Sequence, residues 1–243
     1  MLSVLRFAAN TIKQSLSTLL HLLTTGSLLQ ANQPSPYSPS VPPKMKNIII
    51  LGGSYAGVST AHRLLKQATK SGVTVTFKIT LVSPNTHLYW NMASPRGILP
   101  GQFSDEQLFQ PIAEGFKQYP GSRFEFILAY ATALDVEAKT VIISHSGEAT
   151  HGDAPTHGEE KVLEYDYIIL ATGTHTRGDA PFKGLGSTAT TKSALHDFQA
   201  RVEKANSIVI AGGGVTGVEV AGELAFMYGR QKEITLVSYS WSS

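Results

Sequence analysis

The stretch Ser207–Glu223, SIVIAGGGVTGVEVAGE, constrains this chain more than any other. Ile208–Ala211 is a short apolar run followed directly by glycine, and reads as a strand. Gly212, Gly214 and Gly217 follow at G-x-G-x-x-G spacing. A helical pattern begins at once, with Val218, Val220, Ala221 and Leu224 as its expected packing face, and Ile234–Val237 reads as the next strand. Each part has a physical reason. Glycines let the turn close tightly and let another group approach the backbone. The free N–H groups at a helix start, with the helix dipole behind them, favour a phosphate. The whole frame reads as a βαβ unit for a dinucleotide.

An earlier stretch repeats the frame. In Asn47–Lys66, NIIILGGSYAGVSTAHRLLK, the strand is Ile48–Leu51, the turn is Gly52–Gly57, and the helix places Val58, Ala61, Leu64 and Leu65 on one side. Gly52 and Gly57 occupy the first and third glycine positions, and Ser54 stands at the second. Read alone, it is either a dinucleotide turn or an ordinary strand–turn–helix. Val73–Val82 alternates and supplies a second strand. In dinucleotide sites an acid normally ends that strand and holds the ribose hydroxyls. Here the position is Ser83, and in the later unit it is Ser238. A serine hydroxyl can still bond a ribose, more weakly than a carboxylate.

The remaining chain sets these units in order. Met1–Gln30 is Leu-rich and acid-free, with apolar residues at helical spacing, and Ala31–Lys46 is a Pro-rich linker. His87–Gln102 is irregular; its Arg96 either meets a phosphate or flavin oxygen or is a solvated cation. Ser104–Gln118 reads as a helix capped by Ser104, with Asp105 and Glu106 in its first turn. Strands are expected at Phe124–Leu134, Thr140–Ser144 and within Lys161–Ala171, and a helix at Thr191–Lys204. The polar segment between carries His145, His151 and His157, which lie in a loop rather than on the ordered frame a metal site needs.

Composition excludes several chemistries. None of the 243 residues is cysteine, so disulfides, thiolate zinc sites and a Cys nucleophile are out. The net charge is +2, yet no acid precedes Asp105. That basic front half reads as leader chemistry plus a region meeting an anionic cofactor. Its cations are scattered without interleaved aromatics, so no nucleic-acid partner is expected.

Taken together, GGSYAGVSTAHRLL at Gly52–Leu65, YDYIILATG at Tyr165–Gly173 and GGGVTGVEVAGEL at Gly212–Leu224 resemble the two-dinucleotide-binding-domain flavoproteins of the pyridine nucleotide-disulfide oxidoreductase superfamily. The resemblance is to the apoptosis-inducing-factor-like and type II NADH dehydrogenase-like branch. It implies an α/β fold of tandem Rossmann-like FAD- and NAD(P)-binding domains with a β-meander insertion, the second domain incomplete in a chain that looks C-terminally truncated. The implied division is a leader at 1–30, a linker at 31–45, an FAD-binding domain at 46–180 with its meander at 123–170, a connection at 181–206, and the start of an NAD(P)-binding domain at 207–243.

By the same resemblance, Gly52, Gly53, Ser54, Tyr55, Ala56 and Gly57 hold the FAD pyrophosphate, Ala131 lies on the adenine side, and Thr172 and Gly173 lie near the flavin. Gly212, Gly214, Val215, Thr216 and Gly217 bind NAD(P)H. Glu219 matches a glutamate near flavin and nicotinamide; its alternative role is a helix N-terminal acid. The implied activity is FAD-dependent NAD(P)H oxidation with a quinone or oxygen as the small acceptor, quinone being favoured. The alternative is a non-catalytic nucleotide-binding remnant or interaction protein. The leader resembles a mitochondrial presequence, with a secretory signal or an amphipathic surface anchor as alternatives; a cytoplasmic or peripheral membrane location is the runner-up.

Overall fold

The computed structural model describes residues 44–70, 76–146, 157–176, 178 and 180–238. The leader, most of the linker, the start of the Val73–Val82 strand and His151 lie outside them. The first unit opens as expected: β1 (Lys46–Leu51), α1 (Tyr55–Lys70) and β2 (Phe77–Ser83), with β1 and β2 parallel and Ile48 opposite Ile79. A hairpin of β3 (His87–Tyr89) and β4 (Phe109–Pro111) encloses two one-turn helices, α2 (Ser94–Gly97) and α3 (Asp105–Leu108). Then come β5 (Phe124–Asp135), β6 (Thr140–Ser146), β7 (His157–Glu164) and β8 (Tyr167–Leu170).

These strands make a six-stranded sheet in the order β7-β6-β5-β2-β1-β8. The β8-β1-β2-β5 part is parallel, and β5-β6-β7 is an antiparallel meander whose register shifts between Ala131 and Ala133. The unbroken apolar run of β1 is explained by burial on both faces. Ile48 and Ile50 pack with Ala61 and Leu64 of α1, while Ile49 and Leu51 pack with Ile127, Val141 and Ile143 of the meander. The short strand β8 is pinned by one carboxylate. Asp166 accepts from the Lys46 ammonium at 2.9 Å and from the Asn47 N–H at 2.8 Å.

The helix expected over Ser104–Gln118 is not formed. Its start is right: the Ser104 N–H donates to the Gln107 side-chain oxygen at 2.9 Å. It stops after one turn because Pro111 lacks an N–H and pushes Gln110 into extended backbone. Phe109 then pairs with Tyr89 across the hairpin, the two rings stacked at 4.8 Å.

The chain continues through α4 (Thr188–Lys204) to β9 (Ser207–Ala211), α5 (Val215–Tyr228) and β10 (Glu233–Val237). β9 and β10 form a separate two-stranded parallel sheet. Its helix docks on the first unit. Val220 and Leu224 are buried with Ile98, Leu99, Leu108 and, from α4, Leu195 and Val202. The expected packing face is partly wrong: Val218 is 53% exposed. α5 is apolar around most of its circumference, so periodicity alone could not select the buried side.

Candidate dinucleotide sites

The two turns repeat one geometry. The Gly52 N–H donates to the Val82 carbonyl at 2.8 Å, and the Gly212 N–H donates to the Val237 carbonyl at 2.7 Å. Gly52 has φ +118° and Gly212 φ +119°, a conformation that L side chains rarely adopt. The first bond of each helix runs from the Val58 N–H to the Ser54 carbonyl, or from the Val218 N–H to the Gly214 carbonyl. A Cβ at Gly57 would collide with the Gly52 carbonyl oxygen, and one at Gly217 with that of Gly212. At Gly214 a Cβ would meet nothing. That open position explains why Ser54, its exposed counterpart, is compatible with the first turn.

Ser83 and Ser238 also hold equivalent places. A Cβ on Gly53 would strike the Ser83 hydroxyl, and one on Gly213 would strike that of Ser238. The serine at each strand end therefore backs directly onto its turn. Ser83 is buried, and its hydroxyl accepts the Asn85 N–H at 3.1 Å.

The first turn opens on a cleft of about 500 Å³. Gly52, Gly53, Ser54, Tyr55, Ser83, Ala131, Thr172 and Gly173 all line it, although they come from four separate parts of the chain. Ala56 and Gly57 belong to α1 and do not line the cleft. The turn meets the Thr172-Gly173 exit because the Gly52 face presses on the Ala171 carbonyl. Among the described residues its lining contains no Asp or Glu. Its cationic or titratable nitrogens belong to Lys183, His87 and His175, none of which the sequence singled out. The Lys183 ammonium donates to the Thr174 hydroxyl. Burial, with Lys192 nearby, keeps the His87 pKa below its ordinary value, so the ring is neutral at pH 7. Burial raises the phenol pKa values of Tyr55, Tyr89 and Tyr130. The Tyr89 hydroxyl donates to the Pro181 carbonyl at 2.8 Å, tying the cleft wall to the segment before α4.

Arg96 does not line this cleft. Its Nε and Nη2 donate to the two carboxylate oxygens of Glu223 on α5, both at 2.9 Å. Arg96, read from the sequence as either a cofactor contact or a solvated cation, thus forms an ion pair between the two units. Gly212, Gly214, Val215, Thr216 and Gly217 line the rim of an open groove of about 780 Å³, together with Phe182, Phe198 and Arg201. Among the described residues this lining also lacks acids. Glu219 is exposed on α5 and lines neither cavity. Among the described residues no cluster of His, Cys, Asp or Glu has a metal-holding arrangement.

A largely parallel sheet with a glycine turn leading into its first helix, followed by a second turn of the same geometry, defines a Rossmann-like α/β protein. Comparison with known proteins gives the family. The model of the pyridine nucleotide-disulphide oxidoreductase family matches residues 46–240, and the chain belongs to that family. It is 52% identical over 194 residues to oxidoreductase ptaL of Pestalotiopsis fici, covering 80% of this chain and 49% of that protein. It is 29% identical over 238 residues to a probable mitochondrial NADH-ubiquinone oxidoreductase of Schizosaccharomyces pombe, covering 88% of this chain and 39% of that protein. The fold is similar to that of NDH2 from Plasmodium falciparum, with a TM-score of 0.58, 18% identity, and coverage of 80% of this chain and 41% of that one. The chain thus spans about half or less of the length of these relatives.

Proposed function

We propose that this chain carries the cofactor-holding units of an FAD-dependent NAD(P)H oxidoreductase that passes electrons from NAD(P)H through flavin to a small acceptor. The observation that carries this reading is the duplicated turn, set in the first unit against a cleft wall that holds no carboxylate among the described residues. A diphosphate brings negative charge to the start of α1. There the outward N–H groups and the helix dipole favour it, and no acid among the described lining residues repels it.

The residues present fit the cofactor. The Gly52–Gly57 turn holds the pyrophosphate, and Ser83 closes the wall behind it. Ala131 gives a smooth surface on the adenine side, and Thr172 and Gly173 face the flavin side. Residues 46–180 form the FAD unit, and the chain from 207 onward begins the NAD(P)H unit, held through Gly212, Gly214, Val215, Thr216 and Gly217. When bound, FAD supplies hydride acceptance from a dihydronicotinamide and onward electron transfer. The exposed Glu219 carboxylate, on the first half of α5, shapes the nicotinamide approach or delivers a proton. With no cysteine in these residues, the electrons do not pass through a redox disulfide here. The similarity to a mitochondrial NADH-ubiquinone oxidoreductase supports a quinone acceptor and a mitochondrial location. No helix among the described residues is long and apolar enough to cross a membrane.

Titrating the purified chain with FAD tests the reading. The expected result is a bound flavin band at about 450 nm that NADH or NADPH bleaches without oxygen. Glu219→Gln should keep both ligands and bleach about tenfold or more slowly. A chain that takes up no FAD would sink the proposal; an unchanged Glu219→Gln rate would remove that residue's role. A second reading, an interaction protein of the same family, is favoured by one observation. Phe226, on the outer side of α5, is 89% exposed beside other uncovered apolar residues.

A further inference from the structure

We propose that the Arg96–Glu223 ion pair is a positioning clamp that fixes the orientation of the second dinucleotide unit relative to the first. Its mechanical meaning comes from the structure. Its catalytic meaning rests on the function proposed above.

Arg96 sits in α2, five residues after Asn91, which lines the first cleft. That short helix is held firmly. The Gly97 carbonyl accepts from the Gln199 side chain at 2.7 Å, and Ile98 and Leu99 directly after it are fully buried. Glu223 lies two turns into α5, the helix that starts on the second glycine turn. The pair therefore joins a short helix next to the wall of one site to the helix that starts on the other turn.

Its geometry is a fork: Nε to Oε2 and Nη2 to Oε1, both 2.9 Å. Two parallel bonds specify direction as well as distance, which a lysine cannot do. Direction matters here because, among the described residues, the β9–β10 sheet shares no strand pairing with the six-stranded sheet. The apolar contact of Val220 and Leu224 with Ile98, Leu99 and Leu108 holds the units together. Such contact is non-directional, so it fixes the angle of α5 less sharply than its separation. The fork removes that freedom. A reaction between ligands on two separate units requires reacting atoms about 3–3.5 Å apart, and a displacement of about 1 Å slows it strongly.

The absence of cysteine makes the test direct. Glu137, in the β5–β6 turn, and Glu233, at the start of β10, are both exposed, and neither belongs to the clamp. Changing both to cysteine allows two spin labels to be attached and their distance distribution to be measured by pulsed electron resonance. The native pair should give one narrow distribution. Arg96→Gln and Glu223→Gln should each broaden it, and so should Arg96→Lys, which keeps the charge and loses the fork. In the FAD-loaded chain, Arg96→Gln should leave FAD affinity unchanged and slow bleaching by NAD(P)H about tenfold. An unchanged distribution in Arg96→Gln overturns the clamp, and full recovery by Arg96→Lys overturns the fork. A chain that binds no FAD defeats the proposed function, while the distance measurement still decides the clamp.

Discussion

Asp166 shows how much one side chain can decide. Burial raises its pKa, but the Asn47 N–H and the Lys46 ammonium outweigh that effect and hold its carboxyl below the ordinary carboxylate value. A depressed carboxylate contributes stability that is present above the unfolded value of about 3.9 and is lost as pH falls through the folded value. The native chain should therefore lose stability on acidification below about pH 4, and Asp166→Asn should be less stable at pH 7 yet lose less below pH 4. Urea unfolding midpoints at pH 7 and near pH 3 measure this. Parallel losses in the two proteins would show that another carboxylate is responsible. Single residues were unevenly legible in the sequence. The glycine pattern named Gly52, Gly57, Gly212 and Gly217 because their constraint is local. It could not name the partner of Arg96, because Glu223 is 127 positions away. A lone arginine in a loop looks alike whether it faces a phosphate or a carboxylate. Lys183, His87 and His175 carried no sequence signal either, since only folding brings them to one wall.

Among the elements, α5 bears the most weight, because it both starts a turn and docks the second unit. Leu224 is 1% exposed at the centre of that contact. Leu224→Ala should cost about 2–5 kcal/mol. The loss should be local: amide exchange should speed up in β9, α5 and β10, while β1 and β2 keep their protection. Uniform acceleration through both sheets would mean that the units unfold together rather than separating at this face. The strands and the turn-following helices were readable because their patterns are strongly periodic and are closed by glycine. The Ser104–Gln118 segment misled for a definable reason. Its cap and acidic first turn are genuine helix signals, but Pro111 ends the helix and the Tyr89–Phe109 stack rewards an extended chain. Local propensity yielded there to a contact made across the hairpin.

At the scale of the whole molecule, the two units differ in how completely they are covered. The six-stranded sheet has buried clusters on both faces. The β9–β10 sheet is covered on one side only, leaving Val209, Val237 and the outer face of α5 in solvent. Uncovered apolar surface of this kind drives association. Sedimentation of residues 1–243 should show self-association that Phe226→Asp weakens; a clean monomer at high concentration would count against the interaction-protein reading. The sequence by itself determined the two dinucleotide turns, the parallel strands that carry them and the family. Those features rest on backbone geometry and short-range periodicity, which are written residue by residue. Only the tertiary structure decided which side of α5 is buried, which residues wall the cleft and what Arg96 holds. Each of those depends on atoms that are distant in the chain and meet only when the units pack, so no local pattern records them.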